Sequence, residues 1–119
     1  MALTRDFKQT IKDRVERDPA FALALLDEAV SLFLAGEAET ARLILRDLVN
    51  ATVGFEQLAN ETTTPVKSLH RMLSPAGNPS MDNLAAIFKA VQRHLKVSIH
   101  ARSVPKVKSS ARSRKKVSA

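Results

Sequence analysis

Five groups of chain-breaking residues cut this sequence into six blocks: Asp18-Pro19, Gly36, Gly54, Thr64-Pro65 and the run Ser74-Pro75-Ala76-Gly77-Asn78-Pro79. Within the blocks the apolar residues return every three or four positions, the period of a helix with one buried face. No stretch alternates apolar with polar as a half-buried strand does, and no unit of roughly 20 to 50 residues repeats. This punctuation predicts an all-α fold, a compact helical domain of about six helices.

Each block shows how its helix begins and which face it buries. Thr4 suits the N-cap of a first helix with a narrow stripe of Phe7, Ile11 and Val15. Asp18-Pro19 reads as a cap followed by proline at the first helical position, opening a helix to about Ala35 with Gly36 in its C-terminal turn. Phe21, Leu25, Leu26, Ala29, Leu32 and Phe33 give that helix a broad apolar face. A third helix, about Glu37 to Asn50, carries Ala41, Ile44, Leu45 and Leu48 at buried spacing, with Glu37 and Glu39 favouring its N-terminal dipole. After Gly54 the helices shorten, to Phe55 through Thr62 and then to a helix capped by Thr64-Pro65 that runs to about Leu73. Ser80 caps a last helix to about Leu95, along which Leu84, Ile87, Phe88, Val91 and Leu95 recur.

Composition narrows the function. With 119 residues, 45% of them hydrophobic, the chain suits one domain, assigned to residues 1–96. It has five Phe, no Trp and no Tyr, so Leu, Ala, Val and Ile fill the core. The absence of cysteine excludes disulfides, thiolate metal sites and a catalytic thiol, and fits a cytoplasmic protein. His94 and His100 have no acid near them at ligand spacing, and neither a metal nor a cofactor is expected. The most apolar stretch, Ala20 to Ala35, is broken by Asp27, Glu28 and Ser31, which predicts no membrane span, and the N-terminal residues lack the apolar region of a secretory signal. An enzyme is not expected: no glycine-rich phosphate loop or nucleophile motif is present, and Glu56 and Glu61, five apart, point to different helix faces.

The net charge of +7 is unevenly placed. Residues 1–96 hold twelve bases and twelve acids, whereas residues 97–119 hold seven bases and no acid. That tail, rich in Ser, Lys and Arg, buries too little apolar surface to offset the entropy of ordering, and is expected to be a disordered arm. Arg112, Arg114, Lys115 and Lys116 are its candidates for nonspecific phosphate contact. Residues 51–96 carry five bases against three acids, the better half for facing nucleic acid.

Residues 55–73 have what a helix-turn-helix needs: two short helices, a tight turn, small or apolar residues at the crossing and polar residues on the outer face. Ala59 permits close approach, and Leu58, Leu69, Met72 and Leu73 face inward. Lys67, Ser68, His70 and Arg71 are left outward, where they can meet phosphate or base edges. The first turn, opened by Thr64 and Pro65, can point backbone N–H groups at a phosphate. Since one short helix reads few base pairs, a homodimer over a palindromic operator is expected.

At the level of whole blocks the chain resembles the addiction-module antidote proteins of bacteria, HigA-like antitoxins with a DNA-binding domain of the lambda-repressor/Cro type. The resemblance rests on Leu3-Thr4-Arg5-Asp6-Phe7, Asp18-Pro19 with the following Ala/Leu-rich helix, Gly54-Phe55-Glu56-Gln57-Leu58-Ala59, Lys67-Ser68-Leu69-His70-Arg71-Met72-Leu73, and Ser74 to Pro79. It implies a lambda-repressor-like helix-turn-helix, a double-stranded DNA operator, a RelE/HigB-like toxin as protein partner, and repression of the chain's own operon. It also adds Gln57 and Asn78 to the DNA-binding residues. The chain departs from such motifs at the turn, where Thr63 stands for the usual Gly, Thr64 for an aliphatic residue and Pro65 for a capping Ser. A β-branched Thr63 is strained if the turn demands positive φ. The competing reading is a helical protein-interaction module that touches nucleic acid only through its basic tail.

Overall fold

The computed structural model describes the backbone of residues 5–107 and the side chains from Phe7 onward. Among the described residues there are six helices and no strand: α1 (Arg5–Arg17), α2 (Pro19–Leu34), α3 (Ala38–Ala51), α4 (Phe55–Thr62), α5 (Val66–Met72) and α6 (Met81–Leu95). The Thr4 cap and the tail residues Arg112, Arg114, Lys115 and Lys116 lie outside the described residues.

Pro19 takes the first helical position of α2, but Asp18 makes no side-chain capping bond. Its carboxylate turns back to Arg14, whose Nε lies 3.8 Å away, and the Arg14 guanidinium sits 4.5 Å above the Phe21 ring. The α1–α2 corner is therefore closed by charge and cation–π contacts. At its other end α2 stops at Gly36, whose φ of 87° sends the chain back. The Gly36 N–H donates to Phe33 O at 3.2 Å and the Glu37 N–H to Leu32 O at 2.8 Å, the paired bonds of a Schellman closure.

Helix α3 is the centre of the packing. It lies against α1, α2 and α4 and buries Ala41, Leu45, Leu48, Val49 and Ala51. Around it gather Leu26 of α2, Leu58 of α4, Leu69 and Leu73 of α5 and its exit, and Ile87 and Val91 of α6, all fully buried. Each of these large side chains contributes roughly 1.5–3 kcal/mol relative to exposure. Of the apolar positions read as buried faces, Phe7 is exposed, whereas Ile11, Phe21, Leu25, Phe33, Ile44, Leu84, Phe88 and Leu95 are only partly covered and pack on the rim of this core.

Ser80 caps α6 as expected, its Oγ accepting from the Asn83 N–H at 3.0 Å. Beyond α6 the chain stays attached longer than the expected boundary at residue 96. The Val97 N–H donates to Gln92 O at 3.0 Å and the Ile99 N–H to Gln92 Oε1 at 2.7 Å, and both apolar side chains pack on the core. Residues 100–107 follow without helix or strand and are exposed. No helix among the described residues is long and apolar enough to cross a membrane.

Asp47 of α3 is half-buried. Burial pushes its carboxyl above the ordinary aspartate value of 3.8, against the opposing pull of Arg46 and Lys8. The folded chain then holds this proton more tightly than the unfolded chain, so the carboxyl lowers stability as pH rises from the unfolded value through the raised folded one. Asp47→Asn is expected to raise the thermal unfolding midpoint at pH 7 and to lose that advantage at pH 3, where aspartate is protonated in both states. Calorimetry at the two pH values checks this, and an advantage equal at both would remove titration as its cause.

Candidate nucleic-acid interface

Helices α4 and α5 meet across a short turn, Thr63-Thr64-Pro65, and bury Leu58 against Leu69 and Leu73. The turn does demand a left-handed residue: Thr63 has φ 55° and ψ 41°. Its closure repeats that of Gly36, with the Thr64 N–H reaching back to Ala59 O at 3.1 Å. Thr62 satisfies its hydroxyl locally, donating to Leu58 O at 2.7 Å.

Thr64 does not cap α5. The N-cap position belongs to Pro65, which has no side-chain donor or acceptor and makes no capping bond, and the Thr64 hydroxyl donates to Thr62 O at 3.1 Å. The reason is geometric. Proline's fixed φ of −59° is combined here with an extended ψ of 144°, so the helix begins one residue later than a cap-then-proline pattern implies.

On α5, Lys67, His70 and Arg71 are exposed and Ser68 is half-buried. Lys67 and Arg71, four apart, lie one above the other on a helix face. Ser68 and Arg71 line a shallow groove of about 300 Å³ together with Met72, Asn78, Pro79 and Asn83. The turn after α5 thus delivers Asn78 beside two of the α5 residues named from sequence. Asn83 joins them without having been anticipated, although its spacing to Ile87 and Ala90 places it on the inward side of α6.

That turn is held from two sides. Gly77 presses on the end of α5 so closely that a Cβ there would overlap the carbonyl oxygens of Met72 and Arg71. From α3, Arg42 donates through Nε to Ser74 O at 3.1 Å and through Nη2 to Pro75 O at 2.7 Å. Arg42 was not anticipated either, because its partners are backbone carbonyls more than thirty residues away and nothing local marks them.

Two candidates have other partners. The His70 ring stacks on Phe55, with centroids 4.0 Å apart and planes 20° from parallel, linking the middle of α5 to the start of α4. Gln57 donates through Nε2 to Glu61 Oε2 at 2.8 Å, and Glu61 also faces Arg93 of α6 at 3.9 Å. That bond engages one N–H of the Gln57 amide and leaves its other N–H and its Oε1 for a ligand. The groove is chemically a set of amide, hydroxyl and guanidinium groups suited to phosphate and base edges. Among the described residues no group of three or more His, Cys, Asp or Glu is placed to hold a metal ion.

Comparison of the chain with protein families, with characterised proteins and with solved structures gives no match.

A β-branched residue in the left-handed region costs about 1–2 kcal/mol, part of which glycine returns as unfolded-state entropy. Thr63→Gly is therefore expected to stabilise the chain by about 1 kcal/mol and to raise Tm by roughly 4 °C. Thermal unfolding followed by circular dichroism measures it, and a lower Tm would show that Thr63 is not strained.

Proposed function

We propose that this chain is a sequence-specific DNA-binding transcriptional regulator in which α4 and α5 form a helix-turn-helix and α5 enters the major groove. The observation that carries this reading is the convergence of Ser68, Arg71, Asn78 and Asn83 on one groove, next to a buried crossing of two short helices. Arg71 can pair with guanine O6 and N7, and the asparagine amides both give and accept, as adenine edges require. Lys67, exposed one turn before Arg71, is placed for a phosphate or a second base. His70 acts through its stack on Phe55, holding α5 at a fixed angle to α4.

The finer reading rests on the sequence blocks quoted above. In it the chain is the cytoplasmic antitoxin of a type II toxin–antitoxin pair, a homodimer that binds a RelE/HigB-like toxin and represses its own operon at a palindromic site. The basic tail then adds affinity without selectivity.

Fluorescence anisotropy on the chain's own promoter region and on a scrambled duplex of equal length, at about 150 mM salt to suppress weak phosphate contacts, tests the reading. The expected result is a preference of about a hundredfold or more for the promoter. Arg71→Ala, at an exposed position, should cost about 1–3 kcal/mol on the promoter and much less on the scrambled duplex. Equal loss on both would overturn base reading by Arg71. Equal affinities for the unaltered chain would put the protein-interaction reading first.

A further inference from the structure

We infer that the exposed face at the C-terminal end of α6 is a second contact surface for nucleic-acid phosphates, one that carries no sequence preference. Lys89 and Arg93 lie four apart on that helix and Lys96, its C-cap, follows three further on, a spacing that sets all three on one side. All three are exposed, and the first and last stand about 10 Å apart along the axis. The last acid of the chain is Asp82, in the first turn of the same helix. From Asn83 to Ala119 there are ten Lys and Arg residues and no Asp or Glu.

Two ordinary reasons for surface cations do not account for this band. A face built only for solubility mixes its signs, as α1 does, where Lys8, Lys12, Arg14 and Arg17 are interleaved with exposed Asp13 and Glu16. A face built for the helix dipole concentrates its cations in the last turn, which explains Arg93 and Lys96. Lys89, six residues before the end of α6, lies beyond that effect. The fold does not supply the partners either. Among the described residues Lys89 and Lys96 form no ion pair, and Arg93 faces Glu61 only at 3.9 Å with 63% of its side chain exposed. A row of exposed cations without acids between them suits a ligand whose negative charge repeats along its length, and a phosphate backbone is such a ligand. Helix α4 packs against both α5 and α6, so it links the band to the candidate interface. Duplex DNA as the source of the phosphates rests on the proposed function. The choice of face rests on the charges of α6 alone.

Fluorescence anisotropy of the full chain on the promoter and scrambled duplexes, over a salt series from about 50 to about 200 mM, tests it with Lys89→Gln and Lys96→Gln. Lys12→Gln on α1 removes the same charge from a face of mixed sign and serves as the control. All three positions are exposed, and circular dichroism checks that each variant keeps its helices. Each α6 variant is expected to bind both duplexes about threefold more weakly at the low-salt end and to flatten the plot of log affinity against log salt by about 0.9, the release of one phosphate contact. The ratio of promoter to scrambled affinity should not move, and Lys12→Gln should leave the slope unchanged. Slopes unmoved by both α6 variants overturn the proposal and assign the salt dependence to other cations. Equal losses for Lys12→Gln overturn it as well, because net charge rather than this face would then be the cause. So does a loss confined to the promoter, which would make α6 a reader of bases. The two readings fail separately: an unaltered chain without promoter preference whose α6 variants still lose slope would remove base reading and leave the band standing.

Discussion

The burial of α3 on several sides at once is what the other contacts depend on. Leu45, Leu48 and Val49 are fully enclosed, and the same helix supports α1 and α2 on one side and α4 on the other. Without it α1 and α2 on one side and α4, α5 and α6 on the other would be two unfinished layers, each with an apolar face and nothing to cover it. Arg42 extends this role from packing to hydrogen bonding. Its two bonds to Ser74 and Pro75 fix the turn that carries Asn78, so a helix that contributes no residue to the candidate interface still sets the position of part of it.

A second constraint is how the helices stop. Three of them, α2, α4 and α6, end in a left-handed residue followed by a backbone N–H that reaches five residues back: Gly36, Thr63 and Lys96. The first is made by the residue best suited to it. The other two hold side chains in a region that costs L-residues energy, and they flank the segment proposed to meet DNA. Thr63 fixes the angle between α4 and α5, and Lys96 turns the chain so that Val97 and Ile99 lie on the core. Strain at these positions persists because Leu58, Leu69 and Val91, all buried, leave the backbone no alternative path.

Much of this was legible in the sequence, and what was not has an identifiable cause. Helical periodicity located all six helices, because each buries a face and the apolar residues must recur to build it. Gly36 and the Ser80 cap were readable because their chemistry acts within a few residues. Asp18 and Thr64 misled, each for a local reason: the Asp18 carboxylate faces Arg14 one turn back, and Pro65 took the position that Thr64 was expected to hold. The groove beside α5 was half legible. Ser68 and Arg71 follow from helical phase, and Asn78 entered only through resemblance. Asn83 and Arg42 depend on how distant helices approach, which no local pattern encodes. The stack of His70 on Phe55 is of the same kind, joining residues fifteen apart across a turn whose angle is set by Thr63.

At seven residues, α5 is too short to hold its own shape in water, where nucleation alone outweighs so few hydrogen bonds. Its order comes from outside: Leu69 and Leu73 in the core, the His70 stack on one side and the close approach of Gly77 on the other. Under the proposed function this has a physical consequence for how DNA is read. Selectivity at a base edge depends on placing a guanidinium to within a fraction of an ångström, and Arg71 takes its position from residues that never approach the duplex. The acidic edge at Glu61, joined to Gln57 and Arg93, then bounds the footprint, since a carboxylate there opposes phosphate. The reading surface is thereby confined to α5, the turn that Arg42 secures and Asn83 in the first turn of α6. In this arrangement the long N-terminal helices serve recognition indirectly, by giving α3 the enclosure that makes its grip on that turn rigid.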